Sequence, residues 1–217
     1  MISTIIFDMN GVIVDDEHLH ELAFHNICLD FNINLSHKDY IDLCMGRTDK
    51  EGFEMIIDRF SINHNIDDLI IKKSKKYLDL IQGSIKVYPN ILTVIRNLSK
   101  DFKLALNSSS NRNEINMVLS TLEIQHLFQT IVSANDIENG KPHPETYLTT
   151  AKRLNENPEN CLVIEDTKNG VLSAKAAGMK CVAITTTCSR DHLINSDIII
   201  EDFLELTNEF ITKVEAY

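Results

Sequence analysis

Six short apolar runs recur along the chain, and each ends in a polar cluster. Residues 2–7 lead into Asp8-Met9-Asn10-Gly11, 103–106 into Asn107-Ser108-Ser109-Ser110, and 130–132 towards Asn135-Asp136. Residues 161–164 lead into Glu165-Asp166-Thr167, 181–184 into three threonines, and 197–200 into Glu201-Asp202. Short apolar runs bounded by turn residues predict buried strands. Between them, spacings of helical period predict helices near 90–99, 112–122, 145–155, 169–177 and 203–214. Strands alternating with helices predict a parallel α/β sheet. In such a sheet ligands sit beyond the carboxyl ends of the strands, where the polar clusters fall.

Residues 15–84 break this alternation. They carry helical patterns at 18–31, 37–44, 49–60 and 66–82 and no convincing strand. Thr48-Asp49-Lys50-Glu51 reads as a capping box, with Thr48 as the cap and Glu51 reaching back. The segment therefore reads as an all-helical cap inserted after the first strand of a Rossmann-like α/β core. The core is expected over 1–14 and 85–217 and the cap over 15–84. The linkers are expected near 14–16 and 84–88, with Gly83 and Pro89 flanking the return.

Composition narrows the functions. The chain has 217 residues, of which 43% are hydrophobic and 24% charged, and its formal charge is −11. That balance disfavours nucleic acid and anionic membranes, both of which need concentrated Lys and Arg. No apolar run approaches the ~18 residues of a membrane span, and no basic-then-apolar leader opens the chain. Cys28, Cys44, Cys161, Cys181 and Cys188 are odd in number, scattered and free of C-x-x-C pairing. They read as reduced thiols of a cytoplasmic protein.

Four clusters carry candidate chemistry. Asp8 ends the first strand, where a carboxylate can attack phosphorus or ligate Mg²⁺, which needs only one or two protein carboxylates. Asn10-Gly11, between apolar runs, is also a hairpin signal. Glu165-Asp166 end another strand; they could serve as helix caps, or form with Asp8 an acidic cluster that requires a cation. Ser108 and Ser109 stand at a strand end before a helix, a setting that suits phosphate oxygens, and Asn111 with Glu114 resembles a capping box. Lys141 precedes a helix opened by Pro144 and Glu145, placed to neutralise charge at Asp8.

In this order, Asp8-Met9-Asn10-Gly11-Val12, Ser108, Lys141-Pro142 and Glu165-Asp166 resemble the four motifs of the haloacid dehalogenase-like superfamily. The resemblance covers essentially the whole chain. It is closest to the helical-cap subfamily that includes β-phosphoglucomutase and sugar-phosphate phosphatases. Asp15-Asp16-Glu17 with His20 looks like that subfamily's D-S/T-E-x-x-H continuation, and Val87-Tyr88-Pro89 like its return to the core. The resemblance implies Asp8 as nucleophile and Mg²⁺ ligand. It implies Asp166 and the backbone carbonyl of Asn10 as further ligands, and Glu165 as a ligand directly or through water. Ser108 would bond the transferring phosphoryl group with Ser109 nearby, and Lys141 would neutralise charge. In the cap, Met45-Gly46-Arg47-Thr48 resembles a loop whose Arg grips a distal phosphate, a task that suits a guanidinium fork. Spacing back from Tyr77 favours Lys73 as the lysine of the 72–76 run that faces the site, and His20 would orient a cap residue or the first-motif loop.

One position departs from the pattern. The superfamily usually has a second Asp two residues after the nucleophile, acting as general acid and then general base; here it is Asn10. An amide donates and accepts hydrogen bonds but cannot shuttle a proton, and general acid–base catalysis is worth ~10²–10⁴-fold. The expectation is a monomeric, Mg²⁺-dependent hydrolase of a small phosphate monoester, slowed by Asn10. The alternatives are a β-phosphoglucomutase-type phosphotransferase, a phosphonate-cleaving hydrolase using a cap lysine, and a phosphate-binding protein with little turnover.

Overall fold

A computed structural model describes residues 1–82 and 85–215, so Gly83, at the expected return from the cap, lies outside the described residues. Six strands form one sheet: β1 (Thr4–Asp8), β2 (Lys103–Asn107), β3 (Thr130–Val132), β4 (Cys161–Glu165), β5 (Lys180–Ile184) and β6 (Ile198–Ile200). Every pairing is parallel, in the order β3-β2-β1-β4-β5-β6. The predicted strands are therefore all present.

Period-two alternation explains why these strands read as continuous apolar runs. On β1, Ile5 and Phe7 face one layer with Leu104, Leu106, Leu162 and Ile164. Ile6 faces the other, with Ala105, Val163 and Cys181. A parallel sheet covered on both faces leaves no side of its central strands for polar residues. Helices α5 (Ile91–Leu98) and α6 (Arg112–Thr121) cover the first face, and α7 (Glu145–Leu154) and α8 (Lys168–Ala176) the second. The apolar stretch expected as one helix at 203–214 divides. A capping box at Asp202 closes a short turn over Phe203–Glu205, and Thr207 then caps α9 (Asn208–Val214).

The segment between β1 and the return to the sheet is helical, as its pattern predicts. It holds α1 (Glu17–Leu29), α2 (His37–Leu43), α3 (Asp49–Phe60) and α4 (Ile66–Ile81). Thr48 and Glu51 form the expected capping box at the start of α3. Phe24, Ile27, Tyr40, Phe53, Ile56 and Leu69 pack as a separate apolar centre, while Tyr77 and Ile81 of α4 join the core of the sheet domain. No described helix is long and apolar enough to cross a membrane, and all five cysteines are free.

The hairpin signal at Asn10-Gly11 marks a turn but not a hairpin. The N–H groups of Ile13 and Val14 both bond to the Met9 carbonyl, and the sheet partners of β1 are β2 and β4 instead. Val14 bridges antiparallel to Val87, and the N–H groups of Asp15 and Tyr88 bond to Lys86 and Ile13. The outgoing and returning chains are thus stitched to one another.

Candidate active site

Sheet register brings the polar clusters together. Asp8 pairs with Asn107 across β1 and β2, and Phe7 with Ile164 across β1 and β4. Consequently Asp8, the 108–110 loop and Glu165-Asp166 leave three adjacent strands at the same level. Asn107 is buried and ties this edge to α7, donating to the Thr146 carbonyl and Thr150 hydroxyl and accepting from the Thr146 hydroxyl.

A cavity opens between these strand ends and the cap. Its lining includes Asp8, Asn10, Ser109, Ser110, Lys141 and Asp166 from the sheet side. From the cap it includes Glu17, His20, Tyr40, Arg47 and Asp49. Lys141 reaches across and donates to Asp8 Oδ1 at 2.6 Å and to Glu165 Oε1. Burial pushes the Asp8 carboxyl up to about 7, against the lowering influence of the Lys141 ammonium. Burial, then the charges of Glu165 and Asp8, push Asp166 well above the usual carboxylate range. Asp166 Oδ1 is buried with no hydrogen-bond partner among the described residues. Gly11, at φ +77°, lies so close that a Cβ there would overlap the Asp166 carboxylate, so this position needs glycine for both its backbone and its neighbour.

Three expected site residues, Glu165, Lys73 and Ser108, make other contacts. Glu165 is fully buried and saturated: Oε1 takes Lys141 and the Tyr147 hydroxyl, and Oε2 takes the N–H groups of Asp166 and Thr167 and the Thr167 hydroxyl. It holds Lys141 in place and leaves no oxygen for a cation. Lys73 is fully buried on the Leu69, Tyr77 and Ile81 face of α4 and does not line the cavity. Its ammonium is held by Asp49 at 2.8 Å and Glu114 at 3.6 Å and donates to His20 Nδ1 at 2.8 Å. Those carboxylates raise its pKa against the effect of burial, so it stays charged and is no candidate for an amine nucleophile.

Asn10 is gripped from every side. Its Nδ2 donates to both Asp16 oxygens, at 3.1 and 2.9 Å, and lies 3.1 Å from His20 Nε2. Its Oδ1 accepts from the Ser108 and Ser110 hydroxyls at 3.0 and 2.9 Å. Ser108, expected to face the phosphoryl group, thus turns its hydroxyl onto Asn10 and is buried; Ser109 and Ser110 line the cavity instead. Asp16 also accepts from the Tyr77 hydroxyl. Burial raises its carboxyl, but His20 above all, with the Tyr77 and Asn10 bonds, holds it below the ordinary value. An aspartate at position 10 would turn a carboxylate oxygen towards Asp16 across distances now spanned by N–H···O bonds.

Arg47 lines the cavity, and its Nε is buried without a hydrogen-bond partner among the described residues. Glu17, Tyr40 and Asp49 were not singled out as site residues from sequence. Glu17 stands one helical turn before His20 on α1, a spacing visible in the sequence. Tyr40 and Asp49 lie on α2 and α3 and reach the site through the packing of α1 against α2 and α4 and of α3 against α4.

A family model described as haloacid dehalogenase-like hydrolase matches residues 5–184. A phosphorylated carbohydrates phosphatase from Thermotoga maritima is 30% identical over 177 residues, covering 81% of this chain and 82% of that protein. Hexitol phosphatase B from Escherichia coli is 23% identical over 211 residues, covering 93% of each. The crystal structure of a β-phosphoglucomutase from Clostridium difficile superposes with a TM-score of 0.89 at 28% identity, covering 100% of this chain and 98% of that one.

Proposed function

The chain belongs to the haloacid dehalogenase-like hydrolases, and from that premise we propose that it is a Mg²⁺-dependent phosphatase of a small sugar phosphate, acting through an aspartyl-phosphate on Asp8. The observation that carries this reading is the contact of Asp8 with Lys141 on the cavity wall, beside an Asp166 oxygen that lacks a hydrogen-bond partner among the described residues. The names of the two phosphatase relatives support a phosphorylated carbohydrate as the substrate class.

The residues present fit Mg²⁺. No set of three or more His, Cys, Asp or Glu side chains gathers about one point among the described residues, but Mg²⁺ takes one or two carboxylates and fills its shell with water and phosphate oxygens. Asp8, the Asp166 oxygen without a partner among the described residues and the backbone carbonyl of Asn10 would be the donors, and Glu165, whose oxygens are all engaged, would act through water or through its hold on Lys141. The ion would supply a positive charge that offsets the charge on the transferring phosphoryl group.

The chain's own groups then do the rest. The Asp8 carboxylate attacks phosphorus. The Lys141 ammonium, held by Glu165, stays beside Asp8 and faces the charge that develops on the phosphoryl oxygens. Ser109 lines the same wall, and the Arg47 guanidinium offers a free N–H to a second anionic group of the substrate. The cap over the cavity excludes bulk water from the first step.

Saturating Mg²⁺ is expected to raise Tm at pH 8 and far less at pH 5. The sign follows from the raised carboxyls. Without a cation Asp8 and Asp166 keep their protons above the ordinary carboxylate range, so at pH 5 the ion must displace protons, whereas at pH 8 Asp8, raised to about 7, meets it as a carboxylate. A ligand of the native state at a hundred times its Kd adds about 2.7 kcal/mol. Asp166→Asn should lose the pH 8 shift; an undiminished shift in that variant removes Asp166 from the site.

The function itself is tested by phosphate release from a panel of hexose and hexitol phosphates with Mg²⁺. The likeness to a β-phosphoglucomutase favours a second reading, return of the phosphoryl group to another hydroxyl of the sugar. Label from a ³²P-hexose 1-phosphate appears as inorganic phosphate in the first case and as a second sugar phosphate in the other.

A further inference from the structure

If Asn10 cannot carry a proton, another group in the cavity must protonate the leaving oxygen and later activate water. We propose that this group is Glu17, acting as general acid and then general base in place of the residue at position 10. The inference rests on the aspartyl-phosphate reading above.

Elimination among the cavity-lining groups points to it. Asp8 is the nucleophile and Asp166 the metal ligand. Both oxygens of Asp49 are occupied, by Lys73 and by the Asn111 amide. Both ring nitrogens of His20 have neighbours, Lys73 at 2.8 Å and Asn10 at 3.1 Å. Lys141 is held between two carboxylates, and the Tyr40 hydroxyl donates to Glu17 Oε1 at 2.6 Å. The other carboxyl oxygen of Glu17 has no hydrogen bond among the described residues, in a side chain that lines the cavity. One oxygen is thus anchored and the other is free to exchange a proton with a bound ligand.

The surroundings suit that exchange. Burial pushes the Glu17 carboxyl up, and the neighbouring Asp16 adds to the rise. His20, the Tyr40 hydroxyl and Lys73 pull it back without cancelling it. Asp8 and Asp166 line the same cavity as Glu17, and the Glu17 charge adds a little to the rise of each. A carboxyl desolvated in this way keeps its proton until a stronger base forms beside it.

The steps balance. As Asp8 forms its bond to phosphorus, the bond from phosphorus to the ester oxygen breaks, and the Glu17 proton passes to that oxygen to give the free alcohol. Glu17, now ionised, takes a proton from water as the water oxygen attacks phosphorus. The Asp8–phosphate bond breaks, and inorganic phosphate and protonated Glu17 result.

The test uses p-nitrophenyl phosphate with Mg²⁺, because nitrophenolate leaves without a proton and only the second step then needs Glu17. Glu17→Gln keeps an acceptor for Tyr40 and the same volume. It is expected to release one equivalent of nitrophenolate at the wild-type rate. Steady turnover then falls by ~10²–10⁴-fold, and acid-quenched protein carries phosphate on Asp8. Wild-type steady turnover in Glu17→Gln, or a burst and steady state that fall in proportion, overturns the assignment. If the wild-type chain releases no nitrophenolate, or if Asp8→Asn releases it at the wild-type rate, the phosphatase reading fails instead, and the two failures are thereby distinct.

Discussion

Asp8→Asn is expected to abolish phosphate release while leaving the fold in place. The substitution keeps the shape of a buried side chain at the end of β1 and an oxygen for Lys141, but it removes the proposed nucleophile and one proposed carboxylate ligand together. Loss of a covalent nucleophile costs about 10⁶-fold in the best-studied hydrolases, so the residual rate should be indistinguishable from background. Burial pushes the wild-type carboxyl up to about 7, and a neutral amide does not pay that desolvation cost, so Tm of the metal-free variant should match or exceed that of the wild type at pH 8. Steady-state assay with acid quench measures the first effect and calorimetry the second. Undiminished turnover would end the covalent mechanism.

Lys141→Met is expected to damage both activity and stability. Asp8 and Glu165 share this one ammonium in a region where Lys141 is 4% exposed. Removing one partner of a buried ion pair typically costs about 3–5 kcal/mol, because the charge left behind is neither solvated nor paired. The loss depends on pH. In the variant both carboxyls lose the charge that lowers them while burial still raises them, so the folded state holds more protons than that of the wild type. Stability relative to wild type then falls as pH rises, and the deficit is larger at pH 8 than at pH 5. Urea denaturation of both proteins at the two pH values measures it. An equal deficit at both would mean that only packing was lost.

Much of this organisation is legible along the chain. A buried parallel strand has no polar face, so runs such as 161–164 are unmistakable, and a strand end that turns abruptly to Asp, Asn or Ser marks a site as well as a turn. The capping box at Thr48 is equally local: two side chains three residues apart satisfy each other's backbone. The hairpin at Asn10-Gly11 misleads for the converse reason. A local turn preference cannot see that β2 and β4, about a hundred residues away and more, already occupy both edges of β1.

The site was readable as a set of residue types and not as a set of bonds. Asp8, Lys141 and Asp166 belong together by motif, and the sheet brings them together. That Glu165 is saturated, that Lys73 turns its ammonium to Asp49 and Glu114, and that Ser108 points at Asn10 all depend on groups far apart in sequence. Position 10 shows the division most clearly. The sequence by itself determined that a proton carrier is missing there. Only the tertiary structure decided what the amide does instead, because Asp16, His20, Ser108 and Ser110 converge on it from α1 and from the loop after β2. Local sequence sets strands, helices and caps through interactions over a few residues. Which lone pairs and protons remain free in a buried site is set by every element packed around it, and among the described residues that leaves Asp166 Oδ1, Arg47 Nε and one oxygen of Glu17.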